Sequence, residues 1–234
     1  MTASGNSADR SADWTQEPLR DLGTWVGGGT PSKRNPDYWN EGTVPWVSPK
    51  DIKEHVLTRT EDKITEAAIQ GSAARKFEAN SIAIVVRSGI LEHSLPIALV
   101  PFSAAANQDM RVLTPRPGLN PRWLLYALRG HADQIRRTCS KQGTTVASIE
   151  VPRMMDYRIA VPPVGQQDAV AEWAEESLGE VSAGLEALRS AQSRGEQLSK
   201  AILLRTAFGG PFRGEFGRTR ENSVTSETAG DRRE

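Results

Sequence analysis

The 234-residue chain has one cysteine, Cys139, so an intramolecular disulfide framework is excluded. It has no apolar run of about 18 residues, the length that a membrane-spanning helix needs. Residues 1–16 are rich in Ser, Ala and Asp and lack the apolar segment of a secretory signal peptide. These absences predict a cytoplasmic protein without a membrane segment.

The chain also lacks an excess of charge of either sign, because 29 basic residues balance 29 acidic ones. DNA-binding domains that act alone are often strongly basic, since counterion release drives much of their affinity. Zero net charge therefore argues against a solitary DNA binder and fits a module whose partners share the backbone contact. The charge is segregated: Lys33 to Lys53 is locally basic, whereas Ala171 to Glu186 is acidic.

Signatures of catalysis are missing as well. There is no P-loop, no Gly-x-Gly-x-x-Gly after a strand and no Gly-x-Ser-x-Gly elbow. The histidines His55, His93 and His131 are scattered without the spacing of metal ligands. No predicted strand carries the paired carboxylate and lysine of a nuclease. We expect no catalytic residue, metal or cofactor in this chain.

The positions of Gly, Pro and Asn and the changes in composition predict four zones. They are a disordered lead-in (1–18), a globular α+β domain with a mixed or antiparallel sheet (19–163), one long helix (164–208) and a disordered tail (209–234). The clearest predicted strand is the continuous apolar run 81–87; others are 43–47, 95–100, 110–114 and 157–161. Thr65 can cap a helix over 66–76. Asn120 and Pro121 can start a helix that runs to about Thr138, with Gly130 as a possible break.

The long helix carries an apolar seam. Leu178, Val181, Leu185 and Leu188 are spaced 3, 4, 3, as in a coiled coil, and Leu198 and Ile202 resume the seam after an interruption at Gln192 and Gly195. From Gln166 to Phe208 the helix would span about 65 Å, more than the roughly 30 to 40 Å of the domain. We therefore expect it to project and to need a partner. The alternative is two shorter helices that break at Gly195 and fold back together.

Polar loops supply the candidate contacts to DNA. In the loop 27–39, glycines permit close backbone approach, and Thr30, Ser32, Lys33 and Arg34 can donate to phosphates. Tyr38 and Trp39 are predicted to anchor this loop, which could equally be a plain surface loop. Lys50 lies in a proline-bounded turn that could face DNA.

Three further segments join these candidates. Arg87 and Ser88 end the strongest strand, where an arginine either caps the strand through a salt bridge or reads guanine bidentately. Lys141 and Thr144 lie in a polar turn that suits phosphate contact or a helix cap. Asn107 and Gln108 are amides of the kind that read adenine, although both residue types are also common in turns.

The order of these pieces resembles a known family. The pieces are Gly28-Gly-Thr-Pro31, Pro45-Trp-Val-Ser-Pro-Lys-Asp-Ile52, Val86-Arg-Ser-Gly89, Asn107-Gln108, Gly143-Thr-Thr145, Val161-Pro-Pro163 with Gln166-Gln167, and Ala201-Ile-Leu-Leu-Arg-Thr-Ala-Phe-Gly209. Over about residues 19 to 212 the chain resembles a specificity subunit of type I restriction-modification systems, which serve bacterial defence.

The resemblance implies a non-catalytic target-recognition domain that reads one half of a bipartite DNA site, followed by a conserved-region helix. Full subunits of the family hold two such units, whose helices pack as an antiparallel coiled coil. They dock methyltransferase subunits, which bind S-adenosylmethionine, and motor-nuclease subunits join for cleavage.

This chain differs from the family pattern because it holds one unit. Two copies could pair through the seam as a homodimer that reads a palindromic site; the chain could also pair with a different half-subunit or be a fragment. Three rival functions stay open: a scaffold that no longer binds DNA, a solitary DNA-binding regulator, and a self-contained methyltransferase or nuclease.

Overall fold

A computed structural model describes residues 13–141, 143 and 145–207. The strands are β1 (Thr15–Pro18), β2 (Gly23–Gly27), β3 (Val44–Val47), β4 (Asp62–Ile64), β5 (Lys76–Phe77), β6 (Ser81–Val85), β7 (Ile97–Val100), β8 (Ala104–Ala106), β9 (Met110–Pro115) and β10 (Arg158–Val161). The α-helices are α1 (Glu66–Gly71), α2 (Pro121–Cys139), α3 (Val151–Asp156) and α4 (Val164–Ala207).

The main sheet has the order β2-β9-β6-β7 and is antiparallel throughout. Every residue of β6 is buried, as its continuous apolar sequence predicts for a strand covered on both faces. Helix α2 packs against β6 and β7 and buries Trp123, Leu124 and Leu128 in the same core. This core fixes the position at which β6 ends.

A second, mixed sheet has the order β4-β3-β8-β5, in which β3 and β8 run parallel. It covers a smaller core that contains Trp46, Ile64 and Ala105. The α+β class with a mixed or antiparallel sheet is confirmed. The strand β8 is three alanines, a residue type of low β-propensity, so it was not predicted from the sequence.

Two boundaries differ from the prediction. Residues Thr15–Pro18, assigned to a disordered lead-in, form β1 and pair antiparallel with β10, because the extended segment completes a two-stranded ribbon. Helix α1 ends at Gly71 rather than Lys76. After it, Lys76 and Phe77 enter β5, where pairing with β8 outweighs the helical pattern.

The two suspected helix breaks do not occur. Helix α2 begins at the predicted Asn120–Pro121 signal, with the Asn120 side chain accepting from the amides of Arg122 and Trp123, and it continues through Gly130. Helix α4 is continuous through Gly195, so the alternative of two helices that fold back is wrong. An exposed glycine lowers helix stability by only about 1 kcal/mol, which the neighbouring helix formers offset. Phe208 lies outside the described residues.

The described residues fall into two compact units, which divide after Gly179. In the second unit, residues 180–207 are helical and every one of them is exposed. None of the helices in the described ranges is both long and apolar enough to cross a membrane.

Candidate nucleic-acid interface

Several strands end at one edge of the domain. Because β3 and β8 are parallel, their ends lie side by side, and the Asn107 amide after β8 donates to the Val47 carbonyl at 2.8 Å. Strands β2 and β6 both run antiparallel to β9, so Gly27 and Val85 lie beside the start of β9. The loops after these four strands therefore share one surface, which we call the strand-end surface.

The glycine pair after β2 lies tightly against this edge. A Cβ on Gly28 would overlap the Asn107 carbonyl oxygen and lie 2.7 Å from that of Ala106. A Cβ on Gly29 would overlap the Ala73 carbonyl in the same way. The Gly29 amide donates to the Ala106 carbonyl at 2.8 Å. The Gly-Gly-Thr-Pro segment is thus a backbone-to-backbone contact that only glycine permits.

Two tryptophans hold the rest of the loop. The buried Trp46 indole donates to the Gly29 carbonyl at 3.1 Å, and the Trp39 indole donates to the Ser32 carbonyl at 3.1 Å. The two rings meet edge to face, with centroids 5.3 Å apart. The predicted anchoring by Trp39 is confirmed. Between these anchors the loop presents its polar side chains to solvent.

A groove of about 670 Å³ opens on the strand-end surface. It brings together three predicted contact residues, Lys33, Lys50 and Ser88. The other lining residues are Trp46, Ser48, Pro49, Ile52, Asp62, Ile90, Pro96 and Asn107. In the sequence these three residues lie on separate loops, and only the strand order brings them into one groove.

Among the predicted DNA contacts, Lys50 forms ion pairs with two carboxylates of the same domain. Its ammonium lies 2.9 Å from a Glu61 carboxylate oxygen and 3.0 Å from one of Asp62. Hydrogen bonds to these carboxylates raise the pKa of Lys50, and the ammonium in turn lowers the pKa of Glu61. Lys50 is therefore charged and already paired with two carboxylates of its own domain.

The turn that carries Lys50 is fixed by the buried Asp51. One Asp51 oxygen accepts from the Ser48 amide and the Ser48 hydroxyl, both at 2.8 Å, and the other accepts from the Glu61 amide at 2.9 Å. This is a reciprocal capping box around a single 3₁₀ turn. This turn forms one wall of the groove.

Arg87 and Lys141 lie on neighbouring backbone. Arg87 pairs with Ser148 in an isolated β-bridge, and the Lys141 amide donates to the Ser148 carbonyl at 2.8 Å. The Ser88 hydroxyl caps the following turn by accepting from the Ile90 amide. Thr144 lies outside the described residues, so its predicted contact is not placed.

The other four predicted contact cations form no salt bridge within the described ranges. Across the ranges that the structure describes, Lys33, Arg34, Arg87 and Lys141 are exposed and take part in no salt bridge, and Lys33 lies 6.0 Å from the Trp39 ring centroid. Thr30 and Ser32 are exposed beside them. Elsewhere in the domain, Arg116 and Arg122 are paired with Glu17 and Glu175. Free positive charge is thus available where the loops meet.

The structure also places Gln108 in this surface. Its side-chain carbonyl accepts from the Thr30 hydroxyl, and its amide nitrogen donates to Asp109 at 3.3 Å. The Asn107 amide nitrogen donates to the same Asp109 oxygen at 3.3 Å. The sequence identified Asn107 and Gln108 as possible readers or turn residues. Their linkage to the loop 27–39 carried no signal in the sequence, because it depends on parallel pairing of β3 and β8.

The predicted dimerisation residues lie on α4. Each is exposed, from 44% for Leu178 to 68% for Leu188. The full set is Leu178, Val181, Leu185, Leu188, Leu198 and Ile202. The seam is thus a stripe of apolar surface that nothing else in the described part of the chain covers.

The fold and this surface define an α+β domain with a loop-borne basic face, joined to a long helix. Residues 11–174 match the family described as "Type I restriction modification DNA specificity domain". The chain belongs to this family.

Two curated relatives of the chain are type I specificity subunits. The chain is 39% identical over 154 residues to the EcoR124I/EcoR124II type I restriction enzyme specificity subunit of Escherichia coli, a match covering 66% of this chain and 38% of that protein. It is 26% identical over 162 residues to the MjaIX specificity subunit of Methanocaldococcus jannaschii, covering 68% of this chain and 36% of the relative. The matched part thus spans well under half of each relative's length.

Solved structures share the fold. The HsdS subunit from Thermoanaerobacter tengcongensis aligns with a TM-score of 0.58 at 18% identity, over 86% of this chain and 46% of that one. A chain from a structural study of the assembly and conformational transition of the type I R-M system aligns with a TM-score of 0.65 at 18% identity, over 86% and 47%. Both contain the same domain architecture with a long helix.

Proposed function

We propose that this chain is the DNA-specificity subunit of a type I restriction-modification system and reads one half of a bipartite site. Family membership and the 39% identity to a specificity subunit support this proposal. The observation that carries it is a set of exposed loop cations that form no salt bridge within the described residues, namely Lys33, Arg34, Arg87 and Lys141. In this proposal the chain itself is not catalytic and acts in the cytoplasm.

We assign the loop residues by their geometry. Thr30, Ser32, Lys33 and Arg34 follow a backbone segment fixed by Gly28 and Gly29 and would hold phosphates. Lys141, whose backbone adjoins Ser148 beside Arg87, would also hold a phosphate, and the sequence alone adds Thr144 to this group. Lys50, already paired with two carboxylates, would contribute less to binding than Lys33.

Arg87 has a different role in this proposal. It follows the fully buried strand β6, and its backbone amide donates to the Asp109 carbonyl at 3.3 Å. A rigid mounting favours bidentate recognition of guanine, because the two hydrogen bonds need a fixed fork geometry. Ser88 beside it lines the groove.

The helix supplies the partner interface. An exposed stripe that recurs every 3 and 4 residues is covered by a second helix in a coiled coil. Two copies packed antiparallel would give a two-fold homodimer and a palindromic bipartite site. Pairing with a different half-subunit would use the same stripe. The methyltransferase subunits, which would carry S-adenosylmethionine, and the motor-nuclease subunit would dock on this assembly.

Two measurements test the proposal. Light scattering on the purified chain should give the mass of a dimer at micromolar concentration, and a monomer would refute homodimer formation. Methylation mapping in cells that express the methyltransferase subunit, with and without this chain, should show a palindromic two-part motif only when the chain is present. An unchanged methylation pattern would refute the specificity function.

A further inference from the structure

A second apolar feature lies beside the start of α4. A groove of about 360 Å³ opens between α2 and α4, and its walls are mostly apolar. The lining residues are Tyr126, Arg129, Gly130, Trp173, Ala174, Ser177 and Leu178. An apolar cavity of about 150 Å³ already holds benzene, so this groove has room for more than one branched side chain.

The helix carries apolar residues outside its seam at both ends. Trp173, which is 68% exposed, lines the groove five residues before the first seam leucine. At the other end, Leu203 and Leu204 follow Ile202 and are 69% and 48% exposed. A two-helix seam covers one residue in every three or four. It would cover Ile202 and leave the two leucines after it in water.

The charge pattern of α4 sets the direction of pairing. Residues 164–186 hold six acidic and no basic residues, whereas residues 187–207 hold four basic residues and one acidic residue. Two parallel copies would align like charges along their whole length. Two antiparallel copies align the acidic half of each with the basic half of the other, which is the complementary arrangement.

Antiparallel pairing would bring the groove beside Trp173 of one copy close to Leu203 and Leu204 of the other copy. When the stripe from Leu178 to Ile202 lies along the same stripe of a second copy, Leu178 faces Ile202 of that copy. The groove is lined in part by Leu178, so it then adjoins the segment with Leu203 and Leu204. We propose that this groove seats that segment of a second copy. The inference rests on the proposed homodimer and adds helix α2 to its interface.

Binding of this segment in the groove would add a second contact to the helix pair. Each domain would hold the far end of the other copy's helix, so the helix pair would be clamped at both ends rather than along the seam alone.

The test uses the full chain and measures the dimer dissociation constant by sedimentation. Trp173→Ala removes the groove wall, and Leu203→Ala with Leu204→Ala removes the proposed occupant. Since truncating a buried anchor typically weakens an interface by about 30-fold or more, each change should raise the constant at least that much. All three changes together should add little to the larger effect, because both sets remove the same contact. Gln197→Ala, an exposed polar position on the same helix, is the control and should stay within about twofold of the wild type.

Three outcomes would overturn the inference. If Leu188→Ala dissociates the dimer while Trp173→Ala leaves its constant unchanged, the seam pairing stands and the groove has no part in it. If the Trp173→Ala chain dimerises normally but no longer co-purifies with the methyltransferase subunit, the groove belongs to that partner. If the wild-type chain is monomeric, the homodimer and the groove seat fail together. Circular dichroism of each variant verifies that the helices are retained.

Discussion

Replacing Gly28 by alanine is the sharpest test of how the strand-end surface is held. The added methyl group would overlap the Asn107 carbonyl, so the loop or the turn after β8 must move. Movement breaks the 2.8 Å bond from the Gly29 amide to Ala106 and strains the 3.1 Å bond from Trp46 to Gly29. Two hydrogen bonds at about 1 kcal/mol each and overpacking of about 1–3 kcal/mol oppose a gain of about 0.5 kcal/mol from the stiffer unfolded chain.

We therefore expect Gly28→Ala to lower the free energy of unfolding by about 3 kcal/mol. Chemical denaturation followed by tryptophan fluorescence measures this, since Trp46 bonds to the moving segment. Gly27→Ala is the matched control. Its methyl group would meet only the Arg111 guanidinium at 3.6 Å, an ordinary contact, so its stability should stay within about 0.5 kcal/mol of the wild type. Equal stability of the two variants would refute the close-approach argument.

Further predictions concern charge and capping. Glu17→Gln should be less stable than the wild type at pH 7 by at most about 1 kcal/mol, and the difference should shrink as the pH falls below about 4.3, because the bond from Arg116 lowers the pKa of folded Glu17 and its contribution is lost on protonation. Urea titrations at pH 7 and pH 3.5 measure it. Asp51→Ala should cost about 2–3 kcal/mol, since it leaves two buried groups of Ser48 unpaired; denaturation at neutral pH checks this. Lys33→Ala should weaken binding equally across DNA sequences and reduce the salt slope by about 1, whereas an equivalent change at Arg87 should relax preference at one base position, as binding selections from random duplexes would show.

Each of these has a contradicting result. A Glu17→Gln difference that persists unchanged at pH 3.5 would mean that the ion pair is not its source. An Asp51→Ala chain as stable as the wild type would mean that the capping box does not hold the turn. Loss of base preference in Lys33→Ala, or a uniform affinity loss in the Arg87 variant, would reverse the two assigned roles.

The sequence predicted the elements whose signals are local. The buried strand β6 follows from its apolar run, and the start of α2 follows from Asn120 and Pro121. Helix α4 follows from a proline-free segment with helical spacing. In each of these the local pattern is enough to predict the element, although its stability comes from packing against distant parts of the chain.

The elements that were missed depend on partners far away in the chain. The alanine strand β8 exists because β3 and β5 hydrogen-bond to its two edges, and β1 exists because β10 pairs with it. Similarly, the loops were recognised as contact candidates, but the ion pairs of Lys50 with Glu61 and Asp62 were not. Such pairings are set by tertiary structure, which outweighs the weak local preference of these segments.

The zero net charge of the chain is better interpreted from where its charged residues lie. Residues 19–163 hold 19 basic and 14 acidic residues, while residues 164–186 hold six acidic residues and no basic one. Counterion release depends on the cations that meet phosphates rather than on the sum over the chain. The acidic residues of α4 are separated in sequence from the loops, and in the proposed antiparallel dimer they would lie opposite the basic half of the same helix in the second copy. Zero net charge is therefore compatible with the proposed DNA binding by a paired subunit, because the basic loops would contact the nucleic acid while the acidic residues of α4 would contribute to helix pairing.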